Sequence, residues 1–237
     1  MHLAEIDHYA LNGSSMIHKA QTASKAVLAV LLLSSIIISQ DIYRLLGVVL
    51  VLLGLFLVAR IPIWHIGHLA LYPAFFSIFF AILTAQQSWV NGLVIMTKAV
   101  GAALTMLLLI TTTPYVDLFA LFSLFMPSLL VDIFLMTYRS FFILLDKISQ
   151  LIRSIRIKGG YTPWQVIKNF RTISAMLGTL IIQSFEMSER MYRIYELRGY
   201  NGKIPIRKEP GNLTKIDFTM MALGLIVLIG VVLPWEI

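Results

Sequence analysis

The sequence predicts an all-α integral membrane protein, with about five transmembrane helices plus long amphipathic helices on the cytoplasmic side. Three observations carry this expectation. Hydrophobic residues make up 58% of the chain and charged residues 13%, whereas about a quarter of a soluble domain is charged. Stretches close to the roughly 20 apolar residues that a bilayer demands occur at 24–40, 43–60, 66–85, 92–113 and 216–234. Fourteen of the nineteen Lys and Arg lie within residues 139–215 beside only five acids, a formal +9 against −2 for the remainder. Membrane insertion leaves such a segment inside.

Five spans put the N-terminus in the cytoplasm and Trp235, an interfacial anchor, outside. Residues 1–25 lack the basic start and apolar core of a cleavable signal peptide, so the first span is expected to serve as the signal. Residues 39–41 and 86–91 read as short outer turns and 60–68 as an inner one. Pro73 lies inside the third span, where proline can kink a membrane helix. Thr111-Thr112-Thr113-Pro114 closes the fourth.

Beyond Pro114 the texture changes. Asp117 is expected at the start of a helix beginning near Leu118. An unpaired charge costs at least about 2.5 kcal/mol at mid-bilayer, so Asp117 and Asp132 belong either at the inner interface or with partners. Leu144, Leu145, Ile148, Leu151, Ile152 and Ile155 recur at spacings of three and four opposite Arg139, Asp146, Gln150, Arg153 and Ser154. That spacing predicts an amphipathic helix, and its mixed charge argues against another lipid-facing span. Gly159-Gly160 ends it as a C-terminal glycine cap.

Thr162-Pro163-Trp164-Gln165 starts the next helix, with Thr162 as N-cap and Pro163 in the first turn. It extends to Arg198, about 50 Å at 1.5 Å per residue, and a break is expected at Gly178. The final span follows Gly199. The chain is thus expected to be one structural unit with three zones: a four-span bundle (1–113), a module of amphipathic helices (114–215) and a C-terminal span (216–237).

Two helix ends match. Arg156-Ile157-Lys158-Gly159 and Glu196-Leu197-Arg198-Gly199 both place a cation and then glycine at the C-terminus of an amphipathic helix. One reading is local: the cation complements the helix dipole and glycine supplies a left-handed cap. The other is that both tips enter grooves on two copies of a soluble partner, anchored by charge-assisted hydrogen bonds from Lys158 and Arg198.

Several segments together resemble a known family. They are Ile6-Asp7-His8-Tyr9-Ala10, the Lys25-led first span, Thr112-Thr113-Pro114 with Asp117-Leu118, Pro127 with Tyr138-Arg139, and above all Leu197-Arg198-Gly199-Tyr200. The chain is similar to the transmembrane T component (CbiQ type) of energy-coupling factor transporters for cobalt and nickel. The last tetrapeptide resembles the family's second Ala-Arg-Gly-type coupling motif. Ile157-Lys158-Gly159 stands where the first would be, with lysine in place of arginine, so that either Lys158 or Arg156 takes the arginine's part.

The resemblance implies a non-catalytic scaffold in the cell membrane. Its partners would be two ABC-type ATPase subunits, docked at Arg156, Ile157, Lys158 and Gly159 and at Leu197, Arg198 and Gly199, and a substrate-binding membrane subunit. ATP-driven change in the distance between the ATPase grooves would be carried into the bilayer by rigid helices. A general-purpose T component serving vitamin-binding subunits shares these features.

No cofactor is expected. The absence of cysteine rules out disulfides and thiolate chemistry, and no glycine-rich Lys-Ser/Thr loop for phosphates is present. His65 and His68 share a helix face but have no carboxylate near in sequence, so a pair flanking Trp64 at the inner interface is expected rather than a metal site. His2 follows Met1 as in the family's metal-binding subunit, which nothing else in the chain resembles. Lys98 is expected to snorkel or to face the bundle. Orientation and partner docking explain the basic character (pI 9.7) more simply than nucleic acid does. The alternative function, a stand-alone secondary transporter or channel, would need ionisable residues deep in the spans. An enzyme would need a cluster of His, Asp and Glu.

Overall fold

The computed structural model describes residues 10–11, 13, 15–61, 63–85, 88–157, 166–202, 204 and 214–233, except for the side chains of 63–66, 68, 85 and 166–169. The described residues form helices α1 (Thr22–Ile38), α2 (Ile42–Ala59), α3 (Ile63–Ala85), α4 (Trp89–Thr112), α5 (Tyr115–Phe122), α6 (Ser128–Ile157), α7 (Val166–Leu197) and α8 (Lys215–Val232). The protein is all-helical and membrane-embedded. Four of these helices, α2, α4, α6 and α8, are long and apolar enough to cross a bilayer, and α1 and residues 69–84 of α3 are shorter apolar helices.

The expected spans fall on α1, α2, α3, α4 and α8. Pro114 follows the end of α4, and Asp117 sits in the first turn of α5. Two expectations need correction. α7 runs unbroken through Gly178 for 32 residues, about 48 Å, because a helical glycine costs only about 1 kcal/mol and the helix ladder bridges it. α6 also differs from a purely surface helix: its apolar first part makes it a candidate span, while Asp146, Lys147, Arg153 and Arg156 gather in its second. Thr162, Pro163, Trp235 and His2 lie outside the described residues.

The chain divides into two compact units, residues 1–121 with 208–237 and residues 122–207. In the first, α4 packs on α1, α2 and α3, and α8 packs on α1. Leu32, Leu45 and Leu52 are fully enclosed. α8 approaches α1 so closely that a Cβ on Gly224 would lie 2.9 Å from Leu31 Cδ1, the small-residue contact by which membrane helices gain van der Waals packing without a hydrophobic drive.

Three cations of this unit are used on helix ends. The Lys25 ammonium, buried, donates to Thr112 O at 2.9 Å, in the last turn of α4, and to His18 O at 3.0 Å. Lys98 donates to Ile37 O at 3.0 Å, in the last turn of α1. Arg44 donates to Val231 O at 2.7 Å, near the end of α8, and pairs with Asp41 at 3.0 Å. Cations at C-terminal carbonyls both satisfy orphan acceptors and complement the dipole.

Asp217 does the converse at two N-termini. Oδ1 accepts from the Gln21 amide and the Ser24 hydroxyl, each at 2.7 Å, and Oδ2 accepts from the Thr214 amide at 2.8 Å and from the Thr214 hydroxyl. One enclosed carboxylate thereby caps α8 and ties it to the start of α1. The signal was present in the sequence: Thr214 and Asp217 form a capping box before an apolar run.

Arg60 closes α2 in the left-handed region, at φ 55°, while its amide and that of Ile61 bond back to Leu57 O and Phe56 O. An L-residue with a side chain is disfavoured there by about 1 kcal/mol or more. Arg60→Gly is therefore expected to raise the thermal midpoint in detergent by a few degrees. An unchanged or lower midpoint would show that the arginine makes a compensating contact.

Candidate functional site

The second unit contains the two amphipathic helices whose ends match in sequence. α6 and α7 run antiparallel. Met136, Ser140 and Leu144 of α6 face Ser184, Met187 and Met191 of α7 across a cleft of about 470 Å³. Ile148, Ile152 and Ile155 of α6 face Ile173, Met176 and Leu180 of α7 across another of about 480 Å³. The two clefts follow one another along the antiparallel pair. Leu144, Ile148, Ile152 and Ile155, of the leucine and isoleucine stripe that defines the amphipathic pattern of α6, line these clefts.

Because the pair is antiparallel, the end of α6 lies beside the first part of α7, and the end of α7 lies beside the first part of α6. From the helix rise the two tips stand up to about 40 Å apart along the pair. The first tip is described as far as Ile157, which is 79% exposed and follows Arg156 in the last turn. Lys158 and Gly159 lie outside the described residues.

The second tip is fully described. The Gly199 amide bonds to Glu196 O and the Tyr200 amide to Tyr195 O, both at 3.0 Å. Gly199 has φ 75°. This is the two-bond Schellman closure, completed by edge-to-face contact of the Tyr195 and Tyr200 rings, 6.1 Å between centroids. Leu197 is 88% exposed, and Arg198 and Gly199 are exposed beside it.

A Cβ at Gly199 would meet nothing within 4 Å, so within this chain the dihedral, not space, requires glycine. Gly199→Ala is expected to cost about 1 kcal/mol and to speed amide exchange at residues 198–200. Unaltered exchange there would mean that the closure tolerates a side chain.

Asp132, in the second turn of α6 and buried, accepts from the Tyr200 hydroxyl at 3.0 Å and from the Ile204 amide at 3.1 Å. The inference that Asp132 lies at an interface or has partners is met by partners, and these are the residues just beyond the second tip. The hydrogen bond to Asp132, followed by burial and the carboxyl charge, raises the Tyr200 phenol above its ordinary 10.0. A raised phenol keeps its proton through pH 10.0 and gives it up only as pH climbs through the higher value. Across the physiological range the contact is expected to be insensitive to pH, as exchange of the Ile204 amide would check.

The sequence matches the family described as "CbiQ: Cobalt transport protein" over residues 13–209. The chain belongs to this family. The CbiQ match takes in the Lys25 cap, both clefts, both tips and Asp132, and stops short of α8. The chain is also similar, at 23% identity over 138 residues, to a putative fused cobalt transport protein CbiMQ of Methanocorpusculum labreanum, covering 57% of this chain and 22% of that one. It is 29% identical over 116 residues to an uncharacterized protein of Methanocaldococcus jannaschii, covering 48% of this chain and 42% of that one. The chain thus spans less than half the length of either of these curated relatives.

Among the described residues no three His, Asp or Glu side chains converge as metal ligands. The side chains of His65 and His68 are not among those described. Lys98 faces the bundle, where it caps α1.

Proposed function

We propose that this CbiQ-family chain is the membrane coupling subunit of an ATP-driven cobalt or nickel importer. Two ABC-type ATPase subunits dock on its two helix tips, one at Arg156, Ile157, Lys158 and Gly159 and the other at Leu197, Arg198 and Gly199. The N-terminus and the basic module face the cytoplasm, as the charge excess within residues 139–215 favours. The substrate-binding membrane subunit carries the metal ion, which is cargo and not a cofactor of this chain.

The observation that supports this reading most is the antiparallel pairing of α6 and α7, which puts their C-terminal ends, with Ile157 and Leu197 exposed, at opposite ends of the pair. Two grooves that approach or separate as nucleotide binds would then displace the two ends of the pair. Motion at the tips becomes motion of the clefts. A self-sufficient transporter fares less well, since Lys25, Arg44, Lys98 and Asp217 are all engaged in capping helix ends.

The test is copurification from detergent together with ATP-driven metal uptake in membranes. Two ATPase copies should copurify with each chain. Arg198→Glu, which replaces a cationic anchoring donor with an anionic acceptor, should lower uptake at least about tenfold and release one ATPase copy. Intact assembly and uptake in this variant would refute the assignment. Copurification with a vitamin-binding subunit would redirect it to a general-purpose T component.

A further inference from the structure

The two antiparallel helices are joined at one end by the chain itself, since residues 158–165 connect α6 to α7. Nothing covalent and short joins them at the other. There, Asp132 reaches out from the second turn of α6 and takes two donors from the segment just past the end of α7, the Tyr200 hydroxyl at 3.0 Å and the Ile204 amide at 3.1 Å.

We propose that Asp132 is a positioning residue that fastens the second tip to the start of α6, so that a displacement of the tip is passed to α6. This rests on the coupling function proposed above and names the residue that makes the second tip stiff.

Three features of the site support this role over an incidental contact. Asp132 is buried although both its donors come from the other arm of the pair. Its donors flank Gly202, which has φ 88°, so the chain turns sharply between them and presents both to one carboxyl group. Tyr200 is also held from the helix side, through its amide on Tyr195 O and its ring against that of Tyr195. A displacement of Arg198 therefore has a short path to α6: Gly199, Tyr200, then Asp132. Without the clasp, the tip hinges at the two left-handed glycines, Gly199 and Gly202, and a pull on it is absorbed there.

The chain holds no cysteine, so spin labels can be placed at Asn201→Cys and Lys147→Cys, both exposed sites, in the full-length protein in lipid nanodiscs. The label-to-label distance distribution should be narrow. Asp132→Leu should broaden it, and Tyr200→Phe, which keeps the ring and the Ile204 bond, should broaden it less. Asp132→Asn should stay nearly as narrow as the parent, because its Oδ1 still accepts from Ile204 and its amide can donate to the Tyr200 oxygen.

In the assembled transporter, Asp132→Leu should keep both ATPases bound and hydrolysing while uptake per ATP falls at least about fivefold, with Asp132→Asn close to the parent. A role in fold stability alone would lower assembly and uptake together and leave their ratio unchanged. Narrow distributions in both Asp132→Leu and Tyr200→Phe would overturn the proposal whatever the uptake. Broadening without any copurifying ATPase would leave the clasp standing and refute the coupling function instead.

Discussion

Asp217→Ala is expected to lower the thermal midpoint in detergent by about 10 °C. The carboxylate is fully enclosed and accepts four hydrogen bonds, from Gln21, Ser24 and twice from Thr214. Alanine leaves those donors facing a void. Hydrogen bonds to charged groups contribute about 1.5–3 kcal/mol each, and an orphaned buried donor costs about 1–3 kcal/mol. These terms are not additive around one carboxylate, so a total of about 3–5 kcal/mol is expected. At 2–4 °C per kcal/mol for a chain of this size the shift is about 10 °C. Asp217→Asn should recover little, because its amide group would turn donors toward donors. A midpoint within about 2 °C of the parent for both variants would show that the start of α1 and the start of α8 are held together by packing alone.

Lys25→Met should be the next most damaging substitution. Methionine keeps the length and removes the cation, so Thr112 O and His18 O lose their donor in a buried setting. Two hydrogen bonds from a charged donor contribute about 3–6 kcal/mol, offset in part by the relief of no longer burying a charge. A net loss of about 2 kcal/mol is expected, with a midpoint about 6 °C lower and faster amide exchange in the last turn of α4. Lys25→Arg should fall between the two, since its fork is too broad to repeat both contacts. If Lys25→Met were as stable as the parent, the lysine would be needed for something other than capping α4.

Much of the molecule was legible in the chain because lipid imposes a simple demand: backbone groups must be satisfied within the helix. Apolar runs therefore map onto helices, and the boundaries near Pro114, Gly199 and Thr214 follow from proline, glycine and capping chemistry. The tip at Arg198 and Gly199 was legible for the same reason, since its closure is made by residues within five positions of one another. Gly178 misled because a glycine weakens a helix locally without deciding whether neighbouring turns carry it. The mixed texture of α6 misled because average charge over a helix conceals an apolar first part.

The sequence by itself determined that this is an all-helical membrane protein with amphipathic helices, one of them closed at Gly199. Those properties depend on composition and on spacings of three or four residues. Only the tertiary structure decided that α6 and α7 pair antiparallel, that Lys25, Lys98 and Arg44 cap helices other than their own, and that Asp132 holds the segment beyond the second tip. Each of these pairs a charged or polar side chain with a partner distant in sequence, such as Thr112 with Lys25 or Ile204 with Asp132. The physical reason is that a buried polar group must find a partner, but nothing in the local spacing says which distant one the fold will deliver.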